Sequence, residues 1–204
     1  MSRRRLKVTG KIGFAAPVIT LACVFLAVGS SSRFSWTENA LSDLGVQGPV
    51  TAAIFNTGLV LGGVLFALFT VGLSIYVGKN LVGKAASALL FVASVSLIAI
   101  GVLNESFGYV HYLVSVAFFV SLPLSLAVFV AAFWREGKSR LSLFTLALAV
   151  VAGLVWGLEL TVQFVPGVAI PETISGVAGA VWVWTLSFSM LTDSAAKLPK
   201  PVTA

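Results

Sequence analysis

Six apolar stretches without a charged side chain in their interiors, 12–28, 52–77, 85–103, 110–134, 141–160 and 173–191, alternate with short polar connections along the chain. Each is close to the ~20 residues that carry a helix across a bilayer. Backbone in lipid must bond to itself, and a helix does this within one segment. The pattern therefore predicts an all-α, polytopic membrane bundle of six transmembrane helices forming one domain over 1–191. A polar tail, 192–204, is expected to be disordered.

The longest polar interruption is Trp36–Gly45, which holds two of the seven carboxylates. The remaining helices read as a frame around it. Ahead of the first apolar stretch lies the basic run Ser2–Lys11. A cleaved signal peptide has an apolar region of only about 7–15 residues, so the longer stretch here reads as an uncleaved signal anchor. Pro17 is expected to kink it. Pro49 suits a helix start, where its missing N–H costs nothing. Gly58 and Gly62 on the second stretch, and Gly153 and Gly157 on the fifth, stand four apart, a spacing that lets another backbone come close.

Composition narrows the class further. The 204 residues are 58% hydrophobic and 10% charged, with a mean hydropathy of +1.04, against about 25% charged for a soluble domain. Lipid must be the solvent, and membrane lipids are the expected partners. Twelve of the thirteen lysines and arginines fall in the N-terminus, the two basic turns and the tail; Arg33 alone falls on the other side. The positive-inside rule then places both termini in the cytoplasm of a multi-pass cell-membrane protein. The net charge of +6 reads as attraction to anionic headgroups, not to nucleic acid, since no basic stripe is interleaved with exposed aromatics. The lone cysteine, Cys23, excludes an intrachain disulfide and a cysteine-type zinc site. No sequence feature sets an oligomeric state.

Carboxylates show the opposite bias. Glu38, Asp43, Glu105, Glu159 and Glu172 are expected outside, where they contribute little to topology and so call for another reason to gather. His111, the only histidine, sits beside the Glu105 turn, with Ser115 one helical turn on. It reads either as an interfacial histidine with a wet tip or as a ligand or base oriented by a carboxylate. Glu159 ends a long uncharged run, so it either faces the bundle or marks an earlier, solvated helix end. Glu172 also suits the first turn of the sixth helix, and Ser42-Asp43 a turn or cap; Glu38 and Asp43 also read as solvated loop groups. The candidate ligand-binding set is His111, Glu105, Glu159, Glu172, Glu38 and Asp43. Within it, His111, Glu105 and Glu159 are the candidates for a divalent cation such as zinc or calcium. Ser42 or Ser115 with His111 and a glutamate is the corresponding nucleophilic set. No phosphate loop, HExxH helix, CxxC pair or dinucleotide fingerprint is present.

Leu41-Ser-Asp-Leu-Gly45 followed by Ile54-Phe-Asn-Thr-Gly58, Gly101-Val-Leu-Asn-Glu105 leading to His111 and Phe118-Phe119, and Pro171-Glu172 before Trp182 together resemble the DUF998 membrane proteins, frequent in archaea. The resemblance covers nearly the full chain and implies six spans and an outer polar cluster, with no reaction attached. Where that family has a glutamate-arginine pair, this chain has Glu172-Thr173. The same order is more distantly similar to the Frag1/DRAM group, some of whose members act in lipid remodelling. The expected function is an outward polar pocket for a lipid headgroup, cation or small ligand. The alternatives are a lipid-modifying hydrolase and, third, a small transporter, for which the inner halves of the spans lack a polar path.

Cysteines placed at Ser32 and Lys138 are expected to react with an impermeant maleimide from opposite sides of the membrane, Ser32 from outside. Labelling of both from one side would refute the six-span topology.

Overall fold

The computed structural model describes residues 1–196, with side chains placed through 193. Six helices carry the chain: α1 (Arg3–Ser30), α2 (Pro49–Tyr76), α3 (Leu81–Val102), α4 (Tyr109–Arg135), α5 (Ser139–Val162) and α6 (Ala169–Ala196). All six are long and apolar enough to cross a membrane. The helices outrun the apolar stretches that announce them. In α1 the basic run is itself helical from Arg3, capped by Ser2, whose hydroxyl accepts the Arg5 N–H. Charge ends the part of a helix that can sit in hydrocarbon, but it does not end the helix. The tail begins later than the apolar pattern indicates, because α6 continues through Ala196; the rest of it, 197–204, lies outside the described residues.

Each helix packs on its neighbours in sequence, and α6 returns to α1, so the bundle closes into a ring. Small residues set the closest approaches. On α2, a Cβ at Gly58 would fall on Cys23, at Gly62 on Thr20 and at Gly72 on Thr9, which makes one face of α2 a seat for α1. Gly63 and Gly101 do the same between α2 and α3, where added Cβ atoms would lie 2.7 Å from Ile98 and from the Asn56 carbonyl. Gly153 and Gly157 on α5, which share the spacing of Gly58 and Gly62, meet nothing within 4 Å. Spacing alone therefore does not separate a packed glycine pair from a bare one.

Side chains with polar tips tie the helices crosswise. Trp182, fully buried, donates its indole N–H to Thr145 of α5 at 3.0 Å and packs on Phe129 of α4. The Ser142 hydroxyl donates to the Val130 carbonyl at 2.8 Å, and Trp184 donates to the Phe14 carbonyl at 3.0 Å. At the end of the bundle carrying the basic turns, Asn80 donates to the Ala132 carbonyl and to Glu136, which also pairs with Lys138 at 2.7 Å. Outward-facing side chains such as Leu68, Leu124, Leu154 and Phe188 are left uncovered by protein, as lipid-facing surface requires.

The seat on α2 has little room for a methyl group. Gly62→Ala is expected to cost about 1–3 kcal/mol of stability through overpacking against Thr20, whereas Gly153→Ala should stay within about 0.5 kcal/mol of the parent. Reversible unfolding of the two variants in mixed micelles checks the contrast, and equal effects would show that α1 does not sit on this face.

Candidate functional site

The connection from α1 to α2, residues 31–48, folds back over the opposite end of the bundle because the α5–α6 connection gives it a backbone partner. The N–H groups of Gly167, Val168 and Ala169 donate to the carbonyls of Thr37 and Asn39 at 2.7–3.1 Å. Gly167 is required by closeness: a Cβ there would come within 2.5 Å of the Glu38 and Asn39 backbone. Next along the chain, Leu41–Gly45 winds into a 3-10 turn. Asp43 caps it from within, its Oδ2 accepting from the Ala40 N–H at 3.2 Å and from the Asn39 amide at 2.5 Å. Asn56 of α2 donates to the Gly45 carbonyl at 3.0 Å, and its Oδ1 would lie 2.7 Å from a Gly45 Cβ. Leu44, fully buried, plugs the turn into the bundle.

Two carboxylates hold this turn from below. Glu172, in the first turn of α6 and 7% exposed, accepts the Leu41 N–H on Oε2 at 2.6 Å. Glu105, on the 3-10 turn Glu105–Phe107 between α3 and α4, accepts the Ser42 hydroxyl at 2.9 Å. Burial pushes the Glu105 carboxyl up to about 7; the adjacent Asp43 adds to this by hydrogen bond and charge, while the Ser42 hydroxyl works against it. Glu172, Glu105 and Asp43 feel one another electrostatically, so these three of the six candidates form one acidic group.

The other three stand apart. His111, in the first turn of α4, is buried. Its Nδ1 lies 2.6 Å from the Leu103 carbonyl, so this nitrogen carries the proton and donates; Nε2 is left facing the Ser115 hydroxyl at 3.4 Å. The ring ties the end of α3 to the start of α4, and its tip is covered by protein, not wet. Glu159 does not mark an early helix end: α5 runs on to Val162, and the side chain is 6% exposed with Oε2 lacking a hydrogen-bond partner among the described residues. Beside it Trp156, packed on Phe119, has an unpartnered indole N–H. Glu38 is exposed and, among the described residues, its side chain accepts only from Thr37. Among the described residues no group of three or more histidines, cysteines or carboxylates is placed to hold a metal ion; His111 is bonded to the Leu103 carbonyl and Glu105 to Ser42.

Beneath the roof lies an open-mouthed cavity of about 120 Å³. Leu41, Ser42, Glu172, Thr173 and Ser115 line its polar end, and its walls come from α1, α2, α3, α4 and α6. On α6 the lining runs from Glu172 to Val183, which at ~1.5 Å rise per residue is a depth of roughly 16 Å. Gly176 lines it, and a Cβ there would meet nothing within 4 Å. Toward the basic end α1 and α6 are tightly joined, with Gly10 against Leu191 and Trp184 bonded to Phe14. Toward the roof, Pro17, Leu21 and Phe25 of α1 line the cavity instead, and Phe25 is also 49% exposed on the bundle's outside, beside Trp36. The mouth therefore reaches the lipid-facing side at Phe25. Sequence reasoning missed this space: its lining reads as ordinary apolar core, and only Gly176, a glycine without a packing partner, hints at it.

A carboxyl whose pKa is higher folded than unfolded gives stability that is complete below the unfolded value and lost as pH rises through the folded one. For Glu105 that window runs from 4.5 to about 7. Hydrogen exchange of the 39–45 backbone is expected to speed up across this window, and Glu105→Gln, which still accepts from Ser42, should flatten the change. A pH-independent roof in the parent would rule out the buried-carboxyl reading.

Comparison with known proteins gives no match to any curated protein and none to any solved structure. Residues 14–189 match the model of a family described as a protein of unknown function, DUF998. That span takes in α2 to α5, most of α1 and α6 and the whole roof, and the chain belongs to the DUF998 family.

Proposed function

We propose that the protein binds one hydrocarbon tail of a membrane lipid in the central cavity, with the lipid's polar end under the Leu41–Gly45 roof. The cavity is the observation that carries this reading. Its walls are apolar apart from Thr20, and its other polar groups gather toward the roof. Its depth of roughly 16 Å is about half of a ~30 Å hydrocarbon core, which is the reach of one leaflet. A mouth at Phe25 opens sideways, so a tail enters from the bilayer without crossing water. With both termini cytoplasmic in the cell membrane, as the basic residues favour, the roof lies on the outer face and the ligand comes from the outer leaflet. The distant likeness to the Frag1/DRAM group, with its lipid-remodelling members, points the same way.

Ser115 supports a second reading, a lipid-modifying hydrolase. It lines the cavity, and the unprotonated Nε2 of His111 faces its hydroxyl at 3.4 Å while Nδ1 is held by the Leu103 carbonyl. Nucleophile, base and orienter are thus in sequence. Neither Glu105 nor Glu172 orients the imidazole, so the glutamate-assisted version of this reading has no support.

Gly176→Phe places a ring in the cavity from a position where a Cβ meets nothing within 4 Å. It is expected to lower binding of a single-tailed lipid by roughly tenfold or more, since a tail that cannot enter forfeits ~0.8 kcal/mol per unburied methylene, while the lipid-facing Gly153→Phe should leave binding unchanged. Native mass spectrometry of both variants reads this directly. Undiminished binding to Gly176→Phe would sink the tail-binding reading, and covalent capture of Ser115 by a fluorophosphonate would favour the hydrolase.

A further inference from the structure

The chemistry of the polar end narrows the ligand, on the assumption that the cavity is a lipid site at all. Each hydroxyl in the lining has one proton to give. Ser42 spends its proton on Glu105 at 2.9 Å, Thr20 on the Ala16 carbonyl at 3.0 Å, and Thr173 on the Ala169 carbonyl at 2.7 Å. The Ser115 hydroxyl faces Nε2 of His111 at 3.4 Å. Among the described residues no lysine, arginine, histidine, asparagine, glutamine or tryptophan lines the cavity. What remains on offer is hydroxyl lone pairs and the carboxyl of Glu172, whose Oε2 is engaged by Leu41 while Oε1 has no hydrogen-bond partner in the protein among the described residues.

Charge agrees with this count. Glu172 lines the cavity while being 7% exposed, and Asp43 and Glu105 stand close enough behind it to act on it electrostatically. Among the described residues the only ion pair is Lys138 with Glu136, at the other end of the bundle. Arg33, the single basic residue on the roof side, is exposed in the connection and bonds no carboxylate among the described residues. A phosphate or carboxylate brought under the roof would face the carboxyl of Glu172 with Asp43 and Glu105 close behind it, and no lysine or arginine in the lining among the described residues. Such a group, buried without a partner, is strongly disfavoured.

We infer that the cavity selects an amphiphile whose head brings hydrogen-bond donors and positive charge, a long-chain amine or an amine-headed lipid, with the ammonium seated on the free oxygen of Glu172. One such group supplies three donors, enough for Glu172 and the lone pairs of Ser42 and Thr173. Anionic heads are rejected and neutral alcohols fall between.

The test compares a saturated long-chain primary amine with the alcohol and the carboxylic acid of the same chain length. Equilibrium binding to the full chain is measured in phosphatidylcholine nanodiscs, with empty discs subtracted. The amine is expected to bind roughly tenfold or more tighter than the acid, the size of one charge-assisted hydrogen bond. Glu172→Gln, which keeps an acceptor for the Leu41 N–H, should erase most of that difference; Gly176→Phe should weaken all three ligands together. If the parent protein binds the acid as well as the amine, and Gly176→Phe still abolishes both, the donor-head inference is overturned while the tail-binding function stands. If no ligand shows binding that depends on Gly176, the function falls and takes this inference with it. The comparison on the parent protein decides the matter even if Glu172→Gln does not fold.

Discussion

The hydrogen bond from the Leu41 N–H to the buried carboxyl of Glu172 is the contact on which the loop end depends. A backbone segment lying over a membrane bundle cannot leave its N–H groups unpaired where water is scarce, and neither can a helix start. One carboxyl at the start of α6 answers the first need, and the same loop answers the second by offering the Thr37 and Asn39 carbonyls to residues 167–169. Each partner is thus completed by the other. Glu105 and Asp43 reinforce the arrangement from the sides, and the space beneath survives because the roof is held by polar bonds around its edge and not by apolar filling.

How much of this was legible in the sequence depends on the kind of signal. The six helices were, because the cost of an unpaired peptide group in lipid leaves few alternatives to a helix wherever a long apolar run occurs. Their ends were less so. The Arg3–Lys11 run and the stretch from 192 to 196 are helical although polar, since hydropathy reports what a residue can sit in and not which backbone shape it takes. Gly58 and Gly153 show the limit of small-residue spacing: both belong to the same pattern, yet one meets Cys23 and the other meets nothing.

For the candidate site, residue type identified Asp43, Glu105 and Glu172, because carboxylates are few in this chain and their grouping at one end needs a cause. Residue type also pointed to His111 and Glu159, whose surroundings turned out differently. His111 serves the Leu103 carbonyl at the end of α3, an acceptor that no one-dimensional pattern reveals. Glu159 is buried among helices, away from the roof's hydrogen bonds. The cavity itself was illegible, since an apolar side chain facing empty space and one facing another side chain are the same letter.

Leu41 and Glu172 are 131 residues apart, and this separation has a consequence for biogenesis. Helices α1 to α5 can insert and pair in order of synthesis, and the loop after α1 can be held by Asn56 and Glu105, but its partners at 167–169 and Glu172 come only with α6. The binding end of the molecule is therefore the last part to be assembled, after most of the chain is already in the membrane. Contacts so distant in sequence form slowly, and a chain halted or mispaired before α6 arrives would be fully inserted, helical and yet unroofed. For quality control in the membrane, correct insertion and a competent protein would then be two separate events, divided by the time needed to translate four helices.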